Sequence, residues 1–123
     1  MEILVQTIQV VIALSLLLVW LVRPKLETGY RGGNARNMKE EFAVYGLPSW
    51  FMIIIGTLKV GFALLLIIGL WIPRVTLFSA IAIAILMAGA ISMHIRVKDP
   101  LKKSLPALSL LLLSAVVILY YAG

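Results

Sequence analysis

The chain has 123 residues, of which 63% are hydrophobic and 13% are charged, and its formal net charge is +6. Its mean hydropathy of +1.10 exceeds that of ordinary soluble domains and indicates a single domain embedded in a membrane. The sequence has no cysteine and one histidine, His94. It therefore excludes disulfides, thiolate-bound iron–sulfur clusters and a haem held by two histidines of one chain.

Four apolar runs follow one another along the chain, and each is close to the length that a transmembrane helix needs. Their ranges are 3–22, 50–72, 75–94 and 105–121. They predict an all-α integral membrane protein, a four-helix transmembrane bundle formed by one domain over residues 1–123. The first run is interpreted as a permanent span and not as a signal peptide, because Glu2 stands where basic residues are usual and no small-residue cleavage site follows.

The connection between the first two runs contains a further helix signal. Asn37 followed by Glu40 is typical of a capping box at a helix start, and Gly46 with Pro48 ends the pattern. One face of the predicted helix is apolar and comprises Met38, Phe42 and Tyr45. The pattern predicts a short amphipathic helix over 38–46, in the first cytoplasmic loop and lying on the membrane surface or across the mouth of the bundle.

Basic residues are distributed unequally between the connections. The connections after the first and third runs hold nine of them: Arg23, Lys25, Arg31, Arg36, Lys39, Arg96, Lys98, Lys102 and Lys103. The turn between the second and third runs holds only Arg74. The positive-inside rule then predicts an integral plasma (inner) membrane protein with loops 23–49 and 95–104 in the cytoplasm and both termini outside. Since these charges flank membrane spans, we expect contact with the lipid bilayer and no nucleic-acid binding.

Lys59 is the only charged residue inside the second run. At 1.5 Å per residue it lies about 13 Å beyond Trp50 and about 18 Å before Trp71, close to the middle of a hydrocarbon core about 30 Å thick. A charge at that depth costs about 2.5–3.5 kcal/mol on insertion scales, so it normally faces other helices or a wet cavity. The structural alternative is a lysine that pairs with a backbone carbonyl.

Three further residues are candidate neighbours of Lys59. Helical side chains lean toward the N-terminus of their helix, so Lys59 and His94, on antiparallel spans, incline toward each other. Glu41 falls at the margin of the amphipathic face, whereas Glu40 points to solvent. The candidate ligand-binding residues are Lys59, His94, Glu41 and Tyr45, and no metal site is predicted. The residues alone also allow Glu41 to be a surface charge and His94 an interfacial histidine, and they leave Lys59 open as a neutral base, a fixed cation or a proton carrier.

Four segments of the sequence carry a resemblance to a known family: MKEEFAVYGLP at 38–48, GTLKV at 56–60, MAGAI at 87–91 and MHIRVKDP at 93–100. In order and spacing they resemble the DoxX-like family of small four-span membrane proteins. The resemblance implies a four-helix bundle and directs attention to Glu41, Lys59 and His94. Many relatives carry a carboxylate where this chain has Lys59, so an acidic role at that position does not transfer. The wider group includes membrane subunits associated with quinone-linked oxidation and assembly factors for other membrane proteins.

Three functional hypotheses follow, and they leave enzymatic activity open. The first is a binding or accessory protein that holds a quinone or a lipid, or assists a membrane-protein partner. The second is a membrane subunit of a quinone-linked oxidoreductase, which needs an external electron donor because the chain lacks cysteine and paired histidines. The third is a small proton-coupled transporter acting as a homodimer, although the first span lacks the membrane-embedded glutamate that small multidrug exporters share.

Overall fold

The computed structural model describes residues 2–22 and 30–123. Within these residues the chain forms five α-helices and no strand: α1 (Glu2–Leu17), α2 (Met38–Val44), α3 (Ser49–Ile68), α4 (Arg74–Arg96) and α5 (Leu105–Ala122). A π-helical turn, Leu18–Val22, extends α1, and a 3-10 turn, Leu101–Ser104, leads into α5. The predicted all-α class, with a short helix between the first two long ones, is confirmed. Arg23 and Lys25, which contribute to the predicted charge bias, lie outside the described residues.

The four long helices match the dimensions of a bilayer. With the turns that extend α1 and α5, each of these four described segments has 20 to 23 residues, a length of about 30 Å. Their outer faces carry large apolar side chains such as Ile53, Ile85 and Leu119, each more than 60% exposed. Because a helix satisfies its backbone hydrogen bonds internally, such surfaces are suited to contact with lipid.

The long helices form a ring in which α1 packs on α3, α3 on α4, α4 on α5 and α5 on α1. Gln9 fixes the direction of these neighbours. Its side-chain amide is fully buried, donates to the carbonyl of Leu66 at 3.3 Å and accepts from the hydroxyl of Tyr121 at 3.3 Å. The start of α1 therefore lies beside the ends of α3 and α5, and all neighbouring helices in the ring are antiparallel.

We call the end of the bundle that holds the start of α1 and the ends of α3 and α5 the closed end. A buried apolar core runs along the bundle from this end to the cavity described below, which Leu16 and Met87 also line. Its fully or almost fully buried residues are Val5, Ile12, Ala13, Leu16, Ala63, Leu66, Ala80, Ile83, Met87 and Val117. The opposite end holds α2 and residues 97–104, and we call it the loop end. The two described basic connections of the sequence thus meet at one end of the molecule.

The turn between α3 and α4 is tight. The helix ends at Ile68, four residues before the apolar run ends at Ile72, because Gly69 is the C-cap and short-range turns follow it. The Thr76 hydroxyl donates to the carbonyl of Gly69 at 3.2 Å, and a Cβ added at Gly69 would collide with that hydroxyl. Glycine is therefore required where the two helices are joined.

Helix α2 is defined by signals at both of its ends. The Asn37 side chain accepts the backbone N–H of Glu40 at 2.9 Å, a cap that contributes about 1 kcal/mol. The Glu40 carboxylate accepts from the Asn37 side-chain amide at 3.0 Å and from the N–H of Arg36 at 3.2 Å, and not from the Asn37 backbone as in a standard capping box. Gly46, at φ +77°, ends the helix in the left-handed conformation that glycine favours.

Candidate ligand cavity

A cavity of about 510 Å³ occupies the loop end of the bundle. All four long helices and α2 contribute to its lining, and most of that lining is apolar. The polar side chains include all four ligand-binding candidates predicted from the sequence: Glu41, Tyr45, Lys59 and His94. A largely apolar cavity of this size with a few convergent polar groups is the usual form of a small-molecule site.

Lys59 reaches the cavity from the middle of α3. It follows Phe51 and Ile55 at four-residue intervals, so these three lining residues share one face of the helix. Its Nζ lies 5.2 Å from the centroid of the Trp20 ring, a cation–π contact. Among the described residues, the structure gives Lys59 no ion pair. A cation–π contact contributes about 0.5–2 kcal/mol, which is less than the cost of about 2.5–3.5 kcal/mol for a lysine at that depth.

Trp20 is a functional candidate that the sequence analysis missed. It lies in the π-helical turn that extends α1, and its ring meets Phe42 edge-on at a centroid distance of 6.1 Å. The ring lies against Gly56 of α3, where an added Cβ would come within 2.5 Å of it. Tryptophan near the end of a span is typical of an interfacial anchor. Its pairing with Lys59 depends on the packing of α1 against α3, for which one sequence carries no signal.

Glu41 points from α2 into the lining, and its charge is well compensated. One carboxylate oxygen accepts the N–H of Gly32 at 2.6 Å, and the other lies 3.8 Å from the Arg31 guanidinium. The Glu41 side chain is only 14% exposed. Glu41 therefore holds the segment before α2 against the mouth of the cavity.

Tyr45, His94 and Asp99 form a chain of polar contacts beside the cavity. The Tyr45 hydroxyl lies 3.5 Å from His94 Nε2, and His94 Nδ1 lies 2.8 Å from an Asp99 carboxylate oxygen. The rings of Tyr45 and His94 also meet edge-on at a centroid distance of 5.9 Å. A carboxylate on one imidazole nitrogen orients the ring, so the other nitrogen faces the hydroxyl.

Asp99 also joins the two loops. It accepts the N–H of Gly33 at 3.0 Å and lies 3.7 Å from Lys103 Nζ, which itself donates to the Gly33 carbonyl. Burial opposes ionisation of Asp99, but the hydrogen bonds from His94 and Gly33 and the charge of Lys103 outweigh it and hold the pKa of Asp99 below its usual value. Asp99 is therefore a buried carboxylate at neutral pH.

Asp99 was not predicted as a site residue, and a helix-ending turn explains its position. Lys98 adopts φ +60°, and the N–H of Asp99 donates to the carbonyl of His94 at 2.9 Å. This is the six-to-one bond of a Schellman motif, normally built around glycine. With lysine at the left-handed position, the sequence gives no sign that the chain folds back and brings Asp99 beside His94.

Tyr45 is a neutral donor over the whole physiological range. Its side chain is buried, and burial together with the nearby carboxylates of Glu41 and Asp99 raises the pKa of Tyr45 far above its usual value. The cavity therefore offers a hydroxyl, an imidazole, an ammonium and a carboxylate within apolar walls. These groups can hold the polar end of a lipophilic molecule. Among the described residues, no group of His, Cys, Asp and Glu side chains could hold a metal ion.

The fold and this cavity define a class: an integral membrane protein with a four-helix bundle and a cavity at one of its ends. The chain belongs to the DoxX-like family, whose model matches residues 31–117. That match covers more than two thirds of the chain and includes α2, Lys59, His94 and Asp99. No curated protein and no solved structure matches the chain.

Proposed function

We propose that this protein binds a lipophilic molecule with a polar end, a quinone or a lipid, in the cavity at the loop end. The observation that carries this proposal is the cavity itself: about 510 Å³ of mostly apolar lining in which Lys59, Glu41, Tyr45 and His94 converge. A cavity of this kind is within the range of volumes that small molecules occupy. The protein would present its ligand to, or act as an accessory of, a membrane partner.

Identification of a co-purified ligand tests this function. The protein is purified in mild detergent and analysed by native mass spectrometry, with organic extraction of lipids and quinones. We expect one bound small molecule in the wild type and its loss in Lys59→Met. Lys39→Met is the matched control, because Lys39 is exposed on α2 and does not line the cavity. A folded Lys59→Met protein that retains the same ligand would contradict a binding role for Lys59.

A second function, a membrane subunit of a quinone-linked oxidoreductase, is favoured by the Tyr45–His94–Asp99 chain. A quinone takes up two electrons and two protons as it becomes a quinol. An external donor subunit would supply the two electrons, and the Tyr45 hydroxyl would pass the two protons to the quinone oxygens one after the other, being re-protonated through His94 after each transfer. Reduction of an added quinone by native membranes should then fall in Tyr45→Phe and His94→Gln, while quinone binding persists. Unchanged reduction in both variants would refute this role.

We further propose that the cavity lies on the cytoplasmic side, in the plasma (inner) membrane, with both termini outside. This proposal rests on the basic residues at the loop end, which the positive-inside rule assigns to the cytoplasm. The chain has no cysteine, so single-cysteine variants need no other change. A membrane-impermeant thiol reagent applied from outside should label Arg74→Cys and leave Lys39→Cys unlabelled. The reverse pattern would overturn the orientation.

A further inference from the structure

We infer that the molecule bound in the cavity is an amphiphile with an anionic oxygen headgroup, a carboxylate or a phosphate, and that Lys59 binds this headgroup. The inference rests on the proposed binding function and adds the charge of the ligand. It follows from the charge balance of the cavity and from the surroundings of the Lys59 ammonium.

The basic side chains that line the cavity differ in whether a carboxylate lies at ion-pair distance from them. Arg31 lies 3.8 Å from Glu41, and Lys103 lies 3.7 Å from Asp99. In residues 2–22 and 30–123 no carboxylate lies within ion-pair distance of Lys59, and only the charge of Glu41 acts on it from farther away. In apolar surroundings an ammonium without an anion is costly, and a charge-assisted hydrogen bond to an anion is stronger than one to a neutral oxygen. The cavity therefore favours a ligand that brings a negative charge to Lys59.

The carboxylate that lines the cavity does not oppose this preference. Glu41 is held by the Gly32 N–H and by the Arg31 guanidinium, so its charge is compensated within its own side of the cavity. Asp99 is likewise occupied by His94 and Lys103. Glu41 also attracts Lys59 across the cavity, but its contacts at hydrogen-bond and ion-pair distance are with the loop, so the ammonium of Lys59 remains available to a ligand.

The surroundings of Lys59 suit one oxygen anion. The Trp20 ring covers one side of the ammonium at 5.2 Å, and an aromatic face attracts a cation without neutralising its charge. An ammonium has three donors and acts as a compact point charge, unlike the planar fork of arginine. A single carboxylate or phosphate oxygen can therefore complete its coordination, while apolar residues of the lining contact the chain.

The cavity has room for a headgroup and part of a hydrocarbon chain. Its volume of about 510 Å³ is within the range that small molecules occupy. The ligand class is thus a lipid-like carboxylate or phosphate.

Quenching of Trp20 fluorescence tests this inference. The protein carries Trp50→Phe and Trp71→Phe, which replace two exposed tryptophans and leave Trp20 as the only reporter. It is placed in bilayer discs of zwitterionic lipid and titrated with three brominated probes of equal chain length: a carboxylate, a phosphate monoester and an alcohol. We expect at least one anion to quench at a concentration tenfold or more below that of the alcohol. The comparison of the two anions distinguishes a fatty acid from a phosphate lipid.

Variants assign the preference to Lys59. Lys59→Met should bind the anions and the alcohol equally, and Lys59→Arg should retain the preference for anions. Lys39→Met controls for attraction of anions to the basic loops and should leave the preference unchanged. Equal quenching by anions and alcohol in the protein with native Lys59 would overturn the inference while the binding function stands, and this test needs no Lys59 variant. No quenching of Trp20 by any of the three probes would overturn both.

Discussion

Asp99→Ala should release the segment of residues 30–37 and α2 from the bundle. The native carboxylate is 5% exposed, lies 2.8 Å from His94 Nδ1 and accepts the Gly33 N–H at 3.0 Å. Hydrogen bonds to a charged group contribute about 1.5–3 kcal/mol each. Removal of one partner of a buried pair costs about 3–5 kcal/mol, because the remaining groups stay buried without a counterpart. We expect the free energy of local opening of this segment to fall by about 3 kcal/mol.

Hydrogen exchange measures that opening directly. A fall of about 3 kcal/mol corresponds to exchange that is about 100-fold faster, and we expect it at the Gly33 amide and at the amides of α2. The amides of α3 should be unaffected, because local opening does not require the whole bundle to unfold. Asp99→Asn is the isosteric control and should give an intermediate effect, because a neutral amide retains one acceptor. Unchanged exchange at Gly33 in Asp99→Ala, or an equal increase throughout α3, would refute this reasoning.

The same contact predicts the direction of a pH dependence. The pKa of Asp99 in the folded protein lies below its ordinary value of 3.8, so ionised Asp99 stabilises the closed segment. This contribution is complete above pH 3.8 and is lost as the pH falls through the lower pKa of the folded state. Exchange at Gly33, corrected for its intrinsic pH dependence, should therefore rise only below about pH 4. Asp99→Asn should abolish that step, and a step near neutral pH would assign the effect to another group.

Three other predictions concern the cavity and its supports. Gly56→Ala should lower the free energy of unfolding in detergent by about 1–3 kcal/mol, because the new Cβ collides with Trp20. Gly61→Ala, with no atom within 4 Å of the new Cβ, should raise it by up to about 1 kcal/mol. Equal effects of the two substitutions would contradict the close contact of Gly56 with Trp20. Lys98→Gly should stabilise the loop end by up to about 1 kcal/mol, because glycine adopts φ +60° without strain. The amides of the loop end should then exchange more slowly, and faster exchange would contradict this prediction. Burial raises the pKa of Tyr45 far above 10.0, so Tyr45 is still protonated at about pH 11. Tyr45→Phe should therefore leave the tyrosinate absorbance of the protein at that pH unchanged. A lower absorbance in the variant would show that Tyr45 ionises with an ordinary pKa.

Much of the site could be predicted because each residue carries a local signal. Lys59 interrupts an apolar run, and a charge inside a span must face the interior or a cavity. The period of Met38, Phe42 and Tyr45 determined which side of α2 is buried, and all three are less than 10% exposed. From the lean of helical side chains toward the N-terminus we expected Lys59, His94 and Glu41 to approach one another, and all three line the cavity.

The pairings inside the site could not be predicted, because they depend on contacts between distant parts of the chain. The sequence analysis grouped Lys59 with Glu41 and His94, yet its ammonium lies over the ring of Trp20. Glu41 is paired with Arg31, and His94 with Tyr45 and Asp99. Which of several neighbours a side chain contacts depends on helix rotation and loop closure, and neither leaves a periodic signal in one sequence.

The sequence by itself determined the four long helices, their alternating direction and the short helix between the first two. Apolar runs of this length must form helices in a bilayer, because no water is present to satisfy an open backbone. Only the tertiary structure decided that the helices enclose a cavity at the loop end. Toward the closed end the buried amide of Gln9 joins α1 to α3, whereas at the loop end the helices enclose a cavity that Lys59 lines, because helix rotation and loop closure decide where side chains leave space.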